Sequence, residues 1–116
     1  NAKIFRSEES LEKQTKILSD LRDRYQNVTI SDKSKVFNTE LLEAIELEYL
    51  LDMSDTTVAS ALHRKESRGA HSRVDHIERD DKNWLKHSFA FKNGDSVKLE
   101  YKDVELGNYE PKERKY

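Results

Sequence analysis

With 116 residues the sequence has room for one domain. Its 34% hydrophobic against 38% charged residues leave only a thin core, because ordinary domains are about 45–50% apolar with Gly counted. The near balance of 21 basic and 23 acidic residues argues against a general nucleic-acid binder or an anionic-membrane anchor, and the absence of Cys excludes disulfides, thiolate metal sites and a Cys nucleophile.

No run of about 18 apolar residues is present, so no segment is expected to enter a membrane. The opening Asn1-Ala2-Lys3-Ile4-Phe5-Arg6 lacks a signal-peptide apolar region, and no Met precedes Met53, so the sequence reads as a truncated or processed chain. Ser7-Glu8-Glu9 then supplies an N-cap and acids suited to a first helical turn. Leu11, Leu18 and Tyr25 recur every seven residues, as do Gln14, Leu21 and Val28, which predicts an amphipathic helix of about five turns. Its other face, with Glu12, Lys13, Lys16, Asp20, Arg22, Asp23 and Arg24, is expected to be solvated.

Residues 29–37 form a polar connection whose Val36-Phe37 is expected to re-enter the core. Asn38 caps a second helix carrying Leu41, Leu42, Ile45, Tyr49 and Met53, widened by Leu47, Leu50 and Leu51. A helix so nearly apolar all round is expected to be central, with neighbours on several sides. The β-branched and short polar residues over 52–57 predict a break, and a third helix over residues 56–66 turns Val58, Ala59, Ala61 and Leu62 to the bundle. Gly69 is the expected stop.

Residues 70–81 read as irregular, with Asp80 or Asp81 capping a short helix that carries Trp84 and Leu85. Ser88–Lys92 and Ser96–Tyr101 alternate about Asn93-Gly94-Asp95, a strong hairpin signal. The tail from Tyr109 is charged and extended. The expected fold is therefore mainly α: an antiparallel, spectrin-repeat-like three-helix bundle over residues 1–70. Residues 71–116 add an irregular segment, a short helix, a small β-hairpin and an extended tail to the same single domain.

Charge of both signs gathers with Gly69, the only Trp and all four His over residues 63–87. His63, His71, His76 and His87 have no spacing that fixes a metal, and no HExxH accompanies them. Arg64, Lys65, Arg68, Arg73 and Arg79 suggest phosphate binding, but Glu66, Asp75, Glu78, Asp80 and Asp81 oppose it and suit bidentate pairing with those arginines. Ser67, His71 and Asp75 sit close in sequence without a nucleophile elbow or an oxyanion-hole glycine run. Two readings stay open: an interface knot with Trp84 as its apolar anchor, or a self-contained helix–loop junction held by its own ion pairs.

The run Arg64-Lys65-Glu66-Ser67-Arg68-Gly69-Ala70-His71-x-Arg73-x-Asp75, continued by Glu78-Arg79-Asp80-Asp81-x-x-Trp84-Leu85-Lys86-His87, resembles the C-terminal domain of the succinate dehydrogenase/fumarate reductase flavoprotein subunit. Val36-Phe37-Asn38-Thr39-Glu40-Leu41-Leu42, Leu50-Leu51-Asp52 and the ending Pro111-Lys112-x-Arg114-x-Tyr116 match it too. The likeness covers most of residues 36–91 and the last six. It departs at His76-Ile77, where the family has an aromatic residue and then Pro. L-aspartate oxidase shares the Glu-Ser-Arg-Gly element, but the Arg-Asp-Asp continuation and the hairpin favour the dehydrogenase/reductase branch.

The resemblance implies a parent oxidoreductase of electron transport and the tricarboxylic acid cycle that interconverts succinate and fumarate through FAD. It implies an iron–sulfur subunit as electron acceptor and a location peripheral to the membrane, on its cytoplasmic side. The flavin-linking and dicarboxylate-gripping residues of that family lie upstream, so neither cofactor, metal ligand nor catalytic residue is expected in this chain, which has no GxGxxG. The isolated piece is expected to be inactive. Arg64, Glu66, Arg68, His71, Arg73, Asp75, Arg79, Asp80 and Trp84 are the expected contacts with the FAD-binding domain and the iron–sulfur subunit. The alternative is an autonomous module binding nucleic acid or an acidic protein partner.

Overall fold

A computed structural model describes residues 4–112. The expectations placed on residues 1–3 and 113–116, Arg114 and Tyr116 among them, lie outside the described residues.

Two antiparallel helices form the frame. The first, α1 (Glu8–Tyr25), starts where Ser7 accepts the Ser10 N–H at 3.2 Å and Ser10 Oγ returns the bond to Ser7 N–H at 2.9 Å. This is a reciprocal cap in which Ser10 takes the place usually held by Glu or Gln. The second, α2 (Thr39–His63), starts at Asn38, whose side chain accepts the Leu41 N–H at 2.8 Å. Leu18, Leu51 and Val58 pack as the core, with Leu21 and Tyr25 against them. Tyr25 donates its hydroxyl to Ala44 O at 2.9 Å, which fixes α1 along the first half of α2.

The expected three-helix, spectrin-like bundle does not form. Residues 39–63 are one unbroken helix, so the second and third predicted helices are a single element. The hydroxyls that were expected to break it are satisfied inside it. Ser54 donates to Leu50 O at 2.7 Å, Thr56 to Met53 O at 3.0 Å and Thr57 to Met53 O at 2.7 Å. Bonded back to the previous turn, these side chains no longer compete for the backbone, and the helix runs through them. The remaining helix, α3 (Asp81–Trp84), is one turn capped by Asp80.

Two small sheets occupy the rest. The short strands β1 (Phe5–Arg6) and β2 (Ser72–Arg73) pair in parallel and bring the start of the chain to the far end of α2. The predicted hairpin is present and longer than expected, as β3 (Lys86–Asn93) and β4 (Ser96–Asp103), with left-handed Gly94 opening its loop. Gly69 does not end a helix. It turns the chain between Arg68 and His71, whose backbones exchange hydrogen bonds of 2.8 and 3.0 Å.

Val36 and Phe37 do not re-enter the core: they are 74% and 94% exposed. Phe37 is the one described residue other than Gly with positive φ, at 51°, a conformation that costs an L-residue about 1–2 kcal/mol. The loop around it is tied down by polar bonds that leave its apolar pair outside.

Asp55, in the middle of α2, joins three elements. It accepts from Arg22 of α1 and, at 2.5 Å, from Lys92 of β3, while Asp52 beside it takes Arg22 at 2.9 Å. Charge-assisted bonds of this kind contribute about 1.5–3 kcal/mol when largely shielded and about 0–1 kcal/mol when exposed. Asp55→Ala is therefore expected to lower unfolding stability by about 1.5–3 kcal/mol and Asp52→Ala by less than about 1 kcal/mol. Paired urea titrations compare them, and equal losses would contradict the three-way role of Asp55.

Candidate functional site

The end of α2 runs into the charge-rich segment, and its first problem is a set of helix carbonyls without partners. Arg73 solves part of it. Its side chain is fully buried and donates to Ala61 O at 3.1 Å and Leu62 O at 3.2 Å. The same guanidinium grips Asp75 through two bonds of 2.7 and 2.8 Å and reaches Glu8 at 2.7 Å. All five N–H groups of Arg73 thus have acceptors. Asp75 in turn accepts the backbone N–H of Glu8 at 2.8 Å, at the start of α1. A cation lies at the C-terminus of one helix and an anion at the N-terminus of its neighbour, the arrangement both helix dipoles favour.

Glu66 is the second centre, and it too is completely buried. One of its oxygens accepts from Arg64 at 2.5 Å and from Arg68 Nε at 2.8 Å. The other accepts from Arg68 at 3.0 Å and from the Asp80 N–H at 2.9 Å. Arg68 continues to Asp81 at 2.6 Å, and Arg79 holds the other Asp81 oxygen at 2.6 Å while donating to Lys112 O at 2.9 Å. Arg64 also donates to Trp84 O, Lys86 O and Ser88 Oγ at 3.0, 2.8 and 2.9 Å, and lies 5.3 Å from the centre of the Trp84 ring. The knot therefore fastens β3 and α3 to the end of α2.

His71 bridges the two centres. Its Nε2 is 3.1 Å from Arg64 O, and a carbonyl only accepts, so this nitrogen carries the proton. Its Nδ1 accepts from Arg6 at 3.0 Å. Burial first, then the charges of Arg6, Arg73 and Arg64, hold its pKa below the ordinary value, although the bond to Arg64 O pulls the other way. For Glu66, burial pushes the carboxyl up, but Arg68, the Asp80 N–H and Arg64 outweigh it and lower its pKa. Arg73 holds Asp75 well below the carboxylate range.

All nine residues singled out in the sequence fall in this one region, but they do not build a nucleophilic site. Ser67 Oγ takes the Arg73 N–H at 2.8 Å and lies 2.8 Å from His76 O, closing the loop backbone. His71 and Asp75 are committed to arginines and backbone, so no Ser–His–Asp relay is assembled. Among the described residues Glu8, Asp75 and His76 place possible metal-ligand atoms within 4.8 Å of one another. Both carboxylates there already neutralise Arg73, whose guanidinium occupies the role of the cation. Sequence reading missed Glu8 and Arg6 as members of the cluster. They lie 65 residues from Arg73 and His71, and no local pattern signals that pairing.

The match to known proteins is as extensive as this geometry is specific. Residues 1–116 match the family model described as fumarate reductase flavoprotein C-term. The chain belongs to this fumarate reductase flavoprotein C-terminal family. It is 43% identical over 114 residues to a fumarate reductase flavoprotein subunit of Haemophilus influenzae, covering 97% of this chain and 19% of that protein. It is 42% identical to the mitochondrial succinate dehydrogenase [ubiquinone] flavoprotein subunit of Oryza sativa subsp. japonica, covering all of this chain and 20% of the relative. A solved E. coli quinol fumarate reductase FrdA chain superposes with a TM-score of 0.91 at 44% identity, over 95% of this chain and 19% of that one. The chain thus spans about a fifth of the length of these relatives. The family resemblance read from the motifs is confirmed, and the autonomous-module alternative gains no support. No helix among the described residues is long and apolar enough to cross a membrane.

In this fumarate reductase flavoprotein C-terminal domain the knot has a clear acid limit. Because the folded pKa of Glu66 lies below its ordinary 4.5, its contribution is complete above pH 4.5 and is lost as pH falls through the lowered folded value. Glu66→Gln is expected to cost about 3–5 kcal/mol at neutral pH, since it leaves two arginines without their buried counter-charge. The same variant should show a flatter fall in stability below pH 4.5, and an unchanged acid profile by urea unfolding would exclude Glu66 as the group responsible. His71 acts in the other range: its lowered folded pKa gives full stability above pH 6.5, lost as pH falls below it. His71→Gln is expected to remove that part of the slope.

Proposed function

We propose that this chain is the C-terminal part of a flavoprotein subunit that interconverts succinate and fumarate, with FAD and the dicarboxylate held by polypeptide outside it. The observation that carries this reading is the family match over residues 1–116, together with relatives of both the fumarate reductase and the succinate dehydrogenase kind. Electrons leave the flavin for an iron–sulfur subunit, and the assembly sits peripherally at the cytoplasmic side of the membrane. The nine knot residues serve the contact of this domain with the FAD-binding domain and the iron–sulfur subunit. Within that role Glu66 and Arg73 act from inside, by fixing the loop, because their own bonds are spent within the chain. The partly exposed Arg64, Arg68, His71, Asp75, Arg79, Asp80 and Trp84 form the outward side.

The subunit carrying this chain, purified at full length, is expected to hold flavin and to oxidise succinate or reduce fumarate with an artificial electron carrier. A subunit free of flavin and inactive in both directions would sink the reading. Arg68→Ala in that subunit is expected to lower thermal stability by about 1.5–3 kcal/mol and to reduce assembly with the iron–sulfur subunit. Normal assembly, flavin content and turnover in Arg68→Ala would remove the knot from the contact.

A further inference from the structure

The loop before α2 is unusual in being rigid, strained and apolar at its tip. Asn38 Nδ2 donates to Asp32 O and Ser34 O at 3.0 Å each, and Glu40 accepts the Ser31 and Asp32 N–H groups at 3.0 and 2.7 Å. Ser34 N–H adds a 2.8 Å bond to Asp32 Oδ1, and the Thr39 N–H closes a tight turn on Phe37 O at 3.0 Å. These bonds fix Phe37 at φ 51° and leave its ring 94% exposed beside Val36. A bulky residue in a left-handed conformation persists only where its surroundings over-determine it, and such places cluster at active sites, ligand clamps and switch regions.

The tip does not stand alone. Leu41, Leu42, Ile45 and Tyr49 are all exposed on the adjoining half of α2, spaced so that Leu42, Ile45 and Tyr49 share one face. The core of α2 lies against α1 on its other side, through Leu51 and Val58. The elongation is consistent with an incomplete body: the radius of gyration is 18.3 Å, against about 13 Å for a compact domain of this length.

We propose that Val36, Phe37, Leu41, Leu42, Ile45 and Tyr49 are a preorganised anchor that seats in an apolar depression of the flavin-binding part of the same polypeptide. The proposal rests on the functional reading above. Two features favour this occupant. The relatives have about four-fifths of their length outside the matched region, so a large body of the same chain is at hand. The surface is also aliphatic, with Leu, Ile and Val beside one Phe and one Tyr. Permanent contacts are built that way, as a core divided in two, whereas the hot spots of separable partners are enriched in Trp, Tyr and Arg. The polar bonds around Asn38 and Glu40 settle the ordering of the loop before docking, which lowers the cost of the contact.

The test uses the full-length subunit with the photo-reactive analogue benzoylphenylalanine at position 37, a conservative replacement for Phe37. Irradiation and peptide mapping are expected to give a dominant cross-link within the same polypeptide, to its flavin-binding part, at monomer mass. Cross-linking to a second copy, to another subunit, or to nothing overturns the proposal. As a second measurement, Phe37→Asp is expected to lose protease resistance at the junction while Phe37→Leu keeps it, and equal resistance counts against the anchor. Flavin content and succinate or fumarate turnover of the unsubstituted subunit are measured alongside. Their absence overturns the functional reading, whereas their presence with a cross-link elsewhere overturns only the docking.

Discussion

The guanidinium of Arg73 is the contact on which the other parts converge. It reaches from β2 to the end of α2 and the start of α1, and it bonds to both and to Asp75 just beyond its own strand. A long apolar helix such as α2 has little intrinsic reason to end at one place, and its last carbonyls need donors. Arg73 supplies them without ending the chain's path, because its carboxylate partners come from Glu8 and Asp75 rather than from solvent. Replacing such a buried ionic group by apolar residues of equal shape can be neutral, but removing one partner is costly because it leaves a charge uncompensated. The cluster therefore specifies one arrangement of the two helix ends more than it adds net stability.

Glu66 does the corresponding work on the other side of the junction. Its four bonds leave no free acceptor capacity, so Arg64 and Arg68 are held at fixed positions and carry the hairpin and α3 with them. Acids, arginines and histidines crowd into this region, yet Glu66, Asp75, Asp80 and Asp81 each meet an arginine or a backbone N–H. The chemistry of the segment is spent on shape. This gives physical content to the contrast between the small core, whose buried apolar members among the described residues are Leu11, Leu18, Leu51, Val58 and Ala61, and the dense polar network beside it.

Much of this was legible in the residues. The capped first helix, the Asn38 cap, the Asp80 cap and the hairpin about Gly94 all depend on local chemistry, and all are present. The pairing of arginines with acids in the knot was legible as composition. The continuity of α2 was not, because the hydroxyls of Ser54, Thr56 and Thr57 turn back onto the previous turn, and propensity alone does not reveal that choice. The outward Phe37 was hidden for a different reason: hydrophobic residues normally re-enter a core, and here polar bonds on both sides of the residue decide otherwise. Long-range partners such as Glu8 for Arg73 leave no trace in local spacing.

The junction between Glu8 and Arg73 also sets an order of events. The two residues are 65 positions apart, so the helix pair can meet early through Leu18, Leu51 and Val58 but remains unlatched until the later segment arrives. Closing so long a loop is slow relative to helix formation. On a ribosome this means that α1 and α2 emerge complete and wait for residues 73–75 to leave the exit tunnel. The domain is thereby timed as well as shaped: the start of α1 is latched only once residues 73–75 have been made.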